Sequence, residues 1–211
     1  LIDVPLAEPR AGGARLIGPN ALIQTAAALY ELEGESASAV LQAAGEPLVR
    51  EHPPEDMVDE RRFSALVTTL VRQLGEARAE RVLTRSGSHT ADYLIANRIP
   101  QPFQWLVRRL PRDLGLRLLL GAIASHAWTF AGSGHFRYEL HGDGDVSLEI
   151  EDCPACRGLV TQQPVCGFYA GTFERLFRRL VDDRLRVREA GCQACGGRSC
   201  ALRTTPGEER A

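Results

Sequence analysis

Hydrophobic positions change their spacing once along this chain. From residue 20 to about 130 they recur at three and four residues, and from 135 onward they alternate with polar ones. Leu22, Ile23, Ala26, Leu29 and Tyr30 share one face of a helix predicted over Asn20–Leu32. Gly34-Glu35-Ser36 interrupts it, and Ser36 is placed to cap a short helix over Ala37–Ala44. Beyond the linker His52-Pro53-Pro54, the residues Phe63, Leu66, Val67, Leu70 and Val71 mark a helix over Asp56–Leu74, stopped by Gly75. Two helical pieces, Ala77–Thr84 and Thr90–Asn97, are expected on either side of a break at Ser86-Gly87-Ser88. A turn at Ile99–Pro102 leads into a short helix over Phe103–Leu110. Pro111 then opens a long helix to about Phe130.

Gly132-Ser133-Gly134 closes the helical part. Phe136, Tyr138 and Leu140 alternate with His135, Arg137 and Glu139; Val146, Leu148 and Ile150 alternate with Ser147 and Glu149. The residues between, His141–Asp145, read as a hairpin turn. Pro164 precedes a helix over Cys166–Val181, with Tyr169, Phe173, Leu176, Phe177 and Leu180 inward. Arg184–Glu189 and Ser199–Thr204 are the last two strands. The organisation expected is an extended Pro/Gly/Ala-rich arm (1–17), a helical region (18–117) and a sheet-containing, ligand- and metal-binding domain (118–205). The fold class is α+β, with helices packed on an antiparallel sheet.

Composition narrows the function. A chain of 211 residues with 44% hydrophobic and 25% charged residues is an ordinary globular protein with room for a real core. Its formal net charge of -2, without a long basic run, gives no electrostatic support to nucleic-acid binding. All 25 basic residues are arginine, which removes Schiff-base and P-loop-lysine chemistry. No apolar run reaches the roughly 18 residues that span a bilayer, and no signal peptide is visible, so a cytoplasmic protein is expected. No GxGxxG follows a strand, and no Ser/His/Asp arrangement can be read; Asp143 and Asp145 read as turn chemistry.

The chemistry gathers near the C-terminal end. All six cysteines lie between Cys153 and Cys200, in short pairs that favour reduced, metal-binding thiols over a disulfide frame. In the strand Arg184–Glu189 the arginines take one face and Leu185, Val187 and Glu189 the other. Glu189 therefore points inward, and a buried carboxylate needs a cation or a proton. Cys192 follows three residues on, a Gly196-Gly197 turn folds Cys200 back, and Cys166 sits at a helix start, where the dipole favours thiolate. Glu189, Cys192, Cys200 and Cys166 can thus meet as a closed, structural zinc site. A rival set pairs the two CxxC knuckles Cys153/Cys156 and Cys192/Cys195. Four cysteines also suffice for an iron–sulfur cluster, and packed, unligated thiols are the plainest reading. Spacing alone leaves these open.

A second unusual run, Ala122–Phe136, places two histidines and three aromatic residues around a glycine-rich helix end. His126, Trp128, Phe130, His135 and Phe136, with Tyr138 on the following strand, are the candidate pocket for a flat apolar ligand. A histidine there can also ligate the metal of a tetrapyrrole, although core or capping roles are the commoner use.

The run Cys166-Gly-Phe-Tyr-Ala-Gly171, followed by Glu189-x-x-Cys192 and Cys200, resembles the 4-vinyl reductase domain family over about Leu118–Thr205. In the N-terminal half, Ala91–Pro100 (ADYLIANRIP) and His126–Gly132 (HAWTFAG) are similar to family members that serve bacteriochlorophyll synthesis in purple phototrophic bacteria. The resemblance implies a fold similar to the small TRAPP-complex subunits, often dimerising through helices. It implies a structural zinc held by Cys166, Glu189, Cys192 and Cys200, which leaves Cys153, Cys156 and Cys195 extra. It also implies a cavity beside the zinc that holds a magnesium tetrapyrrole of the protochlorophyllide or chlorophyllide type. The function expected is a pigment-binding carrier that works with other bacteriochlorophyll-biosynthesis enzymes, cytoplasmic or peripheral at the photosynthetic membrane. A reductase of the pigment's 8-vinyl group (4-vinyl in older numbering) and a small-molecule sensor module are the alternatives.

Overall fold

The computed structural model describes residues 15–142 and 144–205; most of the expected arm (1–14) and Asp143 of the expected turn lie outside the described residues. A short strand β1 (Leu16–Ile17) pairs antiparallel with β2 (Val58–Asp59). The helices of this part are α1 (Asn20–Glu33), α2 (Ser36–Ala43), α3 (Glu60–Leu74), α4 (Glu76–Asn97), α5 (Gln101–Arg109), α6 (Arg112–Ser125) and the one-turn α7 (Trp128–Ala131), of which α3 and α7 pack on the ribbon. The strands β3 (His135–Leu140) and β4 (Val146–Glu151) form a hairpin. The helix α8 (Gly167–Leu180) crosses over to β5 (Arg186–Gly191) and β6 (Cys200–Thr205). Sheet order is β3-β4-β6-β5, antiparallel throughout. The α+β expectation, helices on an antiparallel sheet, is what the chain forms. Among the described residues no helix is long and apolar enough to cross a membrane.

The core runs along the seam between α4 and α8, and small residues make that seam possible. A Cβ on Gly87 of α4 would collide with the carbonyl oxygen of Phe168 and lie 2.7 Å from the amide nitrogen of Thr172. A Cβ on Gly171 of α8 would collide with the carbonyl oxygen of Thr84. The two backbones therefore touch. Beside the seam, the buried Ser86 hydroxyl meets Thr25 of α1 at 2.8 Å. This is why α4 is one unbroken helix. The sequence Ser86-Gly87-Ser88 is read as a break because Gly and Ser lower intrinsic helix propensity. Packing on both sides overrides that cost, which is about 1 kcal/mol for one glycine.

Other boundaries move for local reasons. The third helix starts at Glu60, not Asp56, because Asp59 belongs to β2 and caps α3, its carboxylate accepting the Arg61 N–H at 2.9 Å. Ser36 does not cap α2; its hydroxyl donates back to Glu33 O. The helix expected to reach Phe130 ends at Ser125, where His126 leaves helical geometry (φ -113°, ψ 12°) before α7 begins. The last two strands lie one or two residues later than expected. A bulge between Glu189 and Gly191 lets β5 run on to Gly191.

Register puts the cysteines at one end of the sheet. Ile150 of β4 faces Cys200 of β6, so Cys153, just past β4, emerges beside it. Glu189 faces Leu202, and Cys192 directly follows β5. Cys166 is the N-cap of α8, which starts over the same end.

Candidate metal centre

Five thiols converge there. Cys166 lies 3.5 Å from Cys153, 3.0 Å from Cys156 and 3.0 Å from Cys200, sulfur to sulfur. Cys156 is also 3.4 Å from Cys200 and 3.5 Å from Cys192. All five are buried and none is in a disulfide. Cys195 is exposed, 3.6 Å from the Thr161 hydroxyl, so the two CxxC knuckles do not pool four ligands. Cys166, Glu189 and Cys192 form one group of ligand atoms within 4.8 Å of one another, and Cys153, Cys156, Cys166 and Cys200 form another. Of the expected ligand set, Cys166, Glu189 and Cys192 thus come together, and Cys200 touches Cys166. Cys153 and Cys156, read as extra, are in the cluster. Their Cys-Pro-Ala-Cys spacing carried that signal.

The surroundings are built to hold these loops. The Cys153 N–H donates to the Gln193 side chain at 2.7 Å, and the Thr161 N–H donates to Ala194 O at 2.8 Å, which joins the two knuckles. Gly196 turns left-handed (φ 86°), and the Gly197 N–H returns to Cys192 O at 2.9 Å. From α3, Ser64 donates to Pro154 O at 2.7 Å. The fully buried Glu60 pairs with Arg157 and accepts from the Ser133 amide and hydroxyl at 2.7 and 2.8 Å.

Two carboxylates meet the N-terminus of α8. Glu189 Oε2 accepts the Cys166 N–H and Glu80 Oε2 accepts the Gly167 N–H, each at 3.0 Å. Glu189 Oε1 is buried without a hydrogen-bond partner. Burial pushes Glu189 up to about 9, with Glu80 and Cys192 adding repulsion. Burial likewise pushes Glu80 up to about 7, against its hydrogen bond from Gly167. Contact with Cys153 and the other thiols holds Cys166 well above the ordinary thiol range, while Cys156 and Cys166 draw Cys192 down to about 6. Thiols this close resist joint ionisation unless a cation sits among them. No pattern in the sequence points to Glu80, which reaches the site from α4, 87 residues before Gly167.

The donor chemistry fits a zinc-type ion. Sulfurs at about 2.3 Å from a tetrahedral ion stand about 3.8 Å apart. The thiol contacts here, 3.0 to 3.5 Å, are tighter than that, as expected of thiols gathered with no ion between them, and the orphan carboxylate oxygen adds a hard donor. An ion at this point would tie the β4–α8 loop, the start of α8 and the β5–β6 turn together.

The six expected pocket residues divide into two groups. Phe130, Phe136 and Tyr138 fill the core with Phe173: Phe130–Phe136 centroids are 5.2 Å apart, Phe136–Phe173 5.7 Å and Phe136–Tyr138 6.3 Å. Trp128, His126 and His135 are exposed, and His126 Nδ1 lies 2.9 Å from Ala122 O. None of the six lines the cleft beside the metal cluster. That cleft, about 580 Å³, runs between α4, α8 and β5. Its walls carry Arg85, Arg175, Arg178 and Arg188, and Glu80 and Glu189 line it where it approaches the thiols.

Comparison with known proteins agrees with the resemblance. A family model described as the V4R domain matches residues 146–206. The chain is 42% identical to the bacteriochlorophyll synthase 23 kDa chain of Cereibacter sphaeroides over 92% of each chain. It is 41% identical to the protein of the same name from Rhodobacter capsulatus, over 87% of this chain and 84% of that one. Among solved structures it is similar in fold to the phenol-responsive sensory domain of the transcription activator PoxR (TM-score 0.51, 20% identity, 82% and 93% covered). It is also similar to trafficking protein particle complex subunit 3 of Naegleria fowleri (TM-score 0.51, 12% identity, 71% and 95% covered). An H-NOX protein studied for heme distortion is a third such neighbour (TM-score 0.56, 13% identity, 92% and 99% covered).

Proposed function

This chain belongs to the family of the bacteriochlorophyll synthase 23 kDa chains and its role lies in bacteriochlorophyll biosynthesis; within that role we propose that it is a tetrapyrrole-binding accessory protein with a structural zinc. The zinc is anchored on Cys166 and Cys200, the two thiols common to the expected ligand set and to the compact four-thiol group. Its work is mechanical: it holds the knuckles and the start of α8 in place.

The observation that carries the ligand reading is the cleft beside this centre. Its volume, about 580 Å³, is in the range of small-molecule sites. Of the arginines on its walls, Arg85, Arg175 and Arg178 pair with Glu31, Asp92 and Glu174, and Arg188 suits a ligand with a carboxylate, because a guanidinium pairs with carboxylate in a planar, two-pronged way. A protochlorophyllide-type pigment has that chemistry. The likeness in fold to an H-NOX protein is compatible with a ligand of tetrapyrrole size.

The test is an absorbance titration of the purified protein with divinyl protochlorophyllide, followed by gel filtration. A saturable spectral shift and co-elution are expected. An unchanged spectrum with no co-elution overturns the carrier reading. Loss of the vinyl group on anaerobic incubation with dithionite or NADPH would assign a reductase instead.

A further inference from the structure

We propose that the cluster holds two metal ions that share the Cys166 thiolate. This rests on the reading of the cluster as a metal centre and goes beyond its single structural zinc. A closed tetrahedral site needs four donors, and six converge here: five buried thiols and the carboxylate of Glu189.

The six form two overlapping groups, with Cys156 of one lying 3.5 Å from Cys192 of the other. Cys153, Cys156, Cys166 and Cys200 form a compact four-thiol group, a complete ligand set by itself. Cys192 and Glu189 are outside it but come within ligand distance of Cys166. Cys166 is the one residue in both groups. If the four thiols take one ion, Glu189 Oε1 and Cys192 remain beside it. That oxygen is buried with no hydrogen-bond partner. A second ion held by Cys166, Cys192 and Glu189 supplies the partner and compensates charge that a lone divalent ion leaves in the interior.

The two positions differ in character. The first has four protein thiolates and is closed. The second has three protein donors, the pattern of a site with a position open to an outside ligand. Glu189 also lines the arginine-bearing cleft, so the second ion is the one that a ligand entering the cleft can reach. An anionic oxygen donor such as a carboxylate is the chemical class that fits it.

Zinc per chain is measured by elemental analysis on the protein purified with its thiols reduced, on Glu189→Gln and Cys192→Ser, and on Cys153→Ser. Circular dichroism verifies that each variant is folded. Two zinc ions in the wild type and one in folded Glu189→Gln or Cys192→Ser support the proposal. One zinc in the wild type, unchanged in those two variants, overturns it while leaving the structural zinc standing. No metal at all overturns both. Cobalt titration of metal-free protein gives an independent readout if the variants do not fold. The thiolate charge-transfer band is expected to grow through two equivalents. The electron-spin-resonance signal per cobalt should fall between the first and second, as a shared thiolate couples the ions. Saturation at one equivalent is the contrary result. Azide is expected to shift the visible spectrum of the two-cobalt form, and no shift would overturn the open position.

Discussion

The Cys166 backbone N–H donates to Glu189 Oε2 at 3.0 Å, while Oε1 of the same carboxylate is buried without a partner. One oxygen thus fixes the side chain to the start of α8 and leaves the other free for an ion. The two residues come from different elements, 23 positions apart, and their contact joins the crossover helix to the edge strand of the sheet.

Replacing Glu189 by glutamine is expected to have opposite effects with and without metal. With zinc bound the variant loses a charged ligand, and its affinity falls at least about tenfold. In chelator the order reverses or vanishes, because a neutral amide escapes the cost of burying a carboxylate. Paired thermal melts in zinc and in chelator read the sign directly.

Metal removal is expected to loosen one end of the molecule first. Amide exchange should speed up in residues 152–166 and 192–200, whose loops are tied through the thiols, before it does in α1 and α3. Hydrogen exchange followed by mass spectrometry, with and without chelator, tests this.

The α4–α8 seam predicts an asymmetry among glycines. Gly87→Ala drives a methyl group into the Phe168 carbonyl, at a cost of about 3 kcal/mol, a fall of roughly 6–12 °C in Tm. Gly121→Ala, on an exposed face of α6 with nothing within 4 Å of its built Cβ, is expected to be neutral or to stabilise by up to about 1 kcal/mol. Thermal denaturation of the two variants compares them.

Asp59 gives the pH dependence a definite sign. Its hydrogen bonds from Arg61, side chain first and then backbone, lower it from 3.8 to about 2. A lowered acid stabilises the fold above its unfolded value, and that contribution is lost as pH falls from about 4 toward 2. Asp59→Ala is therefore expected to cost about 1 kcal/mol at neutral pH, as helix caps do, and progressively less on acidification through that window. Urea titrations of wild type and variant at pH 7 and at pH 3 give the difference.

In the cleft, Arg188 is exposed on β5 and lines the wall next to Glu189. Arg188→Ala is expected to weaken pigment binding about tenfold or more, as loss of a charge-assisted hydrogen bond does, and to leave the zinc content unchanged. The absorbance titration and elemental analysis separate these effects.

The fold was largely legible because its signals are local. Alternation in 135–140 and 146–150 specifies the hairpin, and the inward turn of Glu189 follows from strand period alone. The unbroken α4 was not legible, since Gly87 reads as a breaker until α8 lies against it. The cleft was hidden for the same kind of reason. Aromatic residues at 130, 136 and 138 look like pocket walls in sequence, whereas they pack on one another and on Phe173. The cleft is lined instead by arginines and carboxylates of α4, α8 and β5, which look like solvated surface until the three elements come together.

The central claim, a sulfur-rich metal centre completed by Glu189, is tested most directly by zinc K-edge X-ray absorption on the purified protein. The expected result is a first shell dominated by sulfur at about 2.3 Å with a minor oxygen component at about 2.0–2.2 Å, the latter lost in Glu189→Gln. A first shell of nitrogen and oxygen alone, or a protein that carries no zinc, would contradict it.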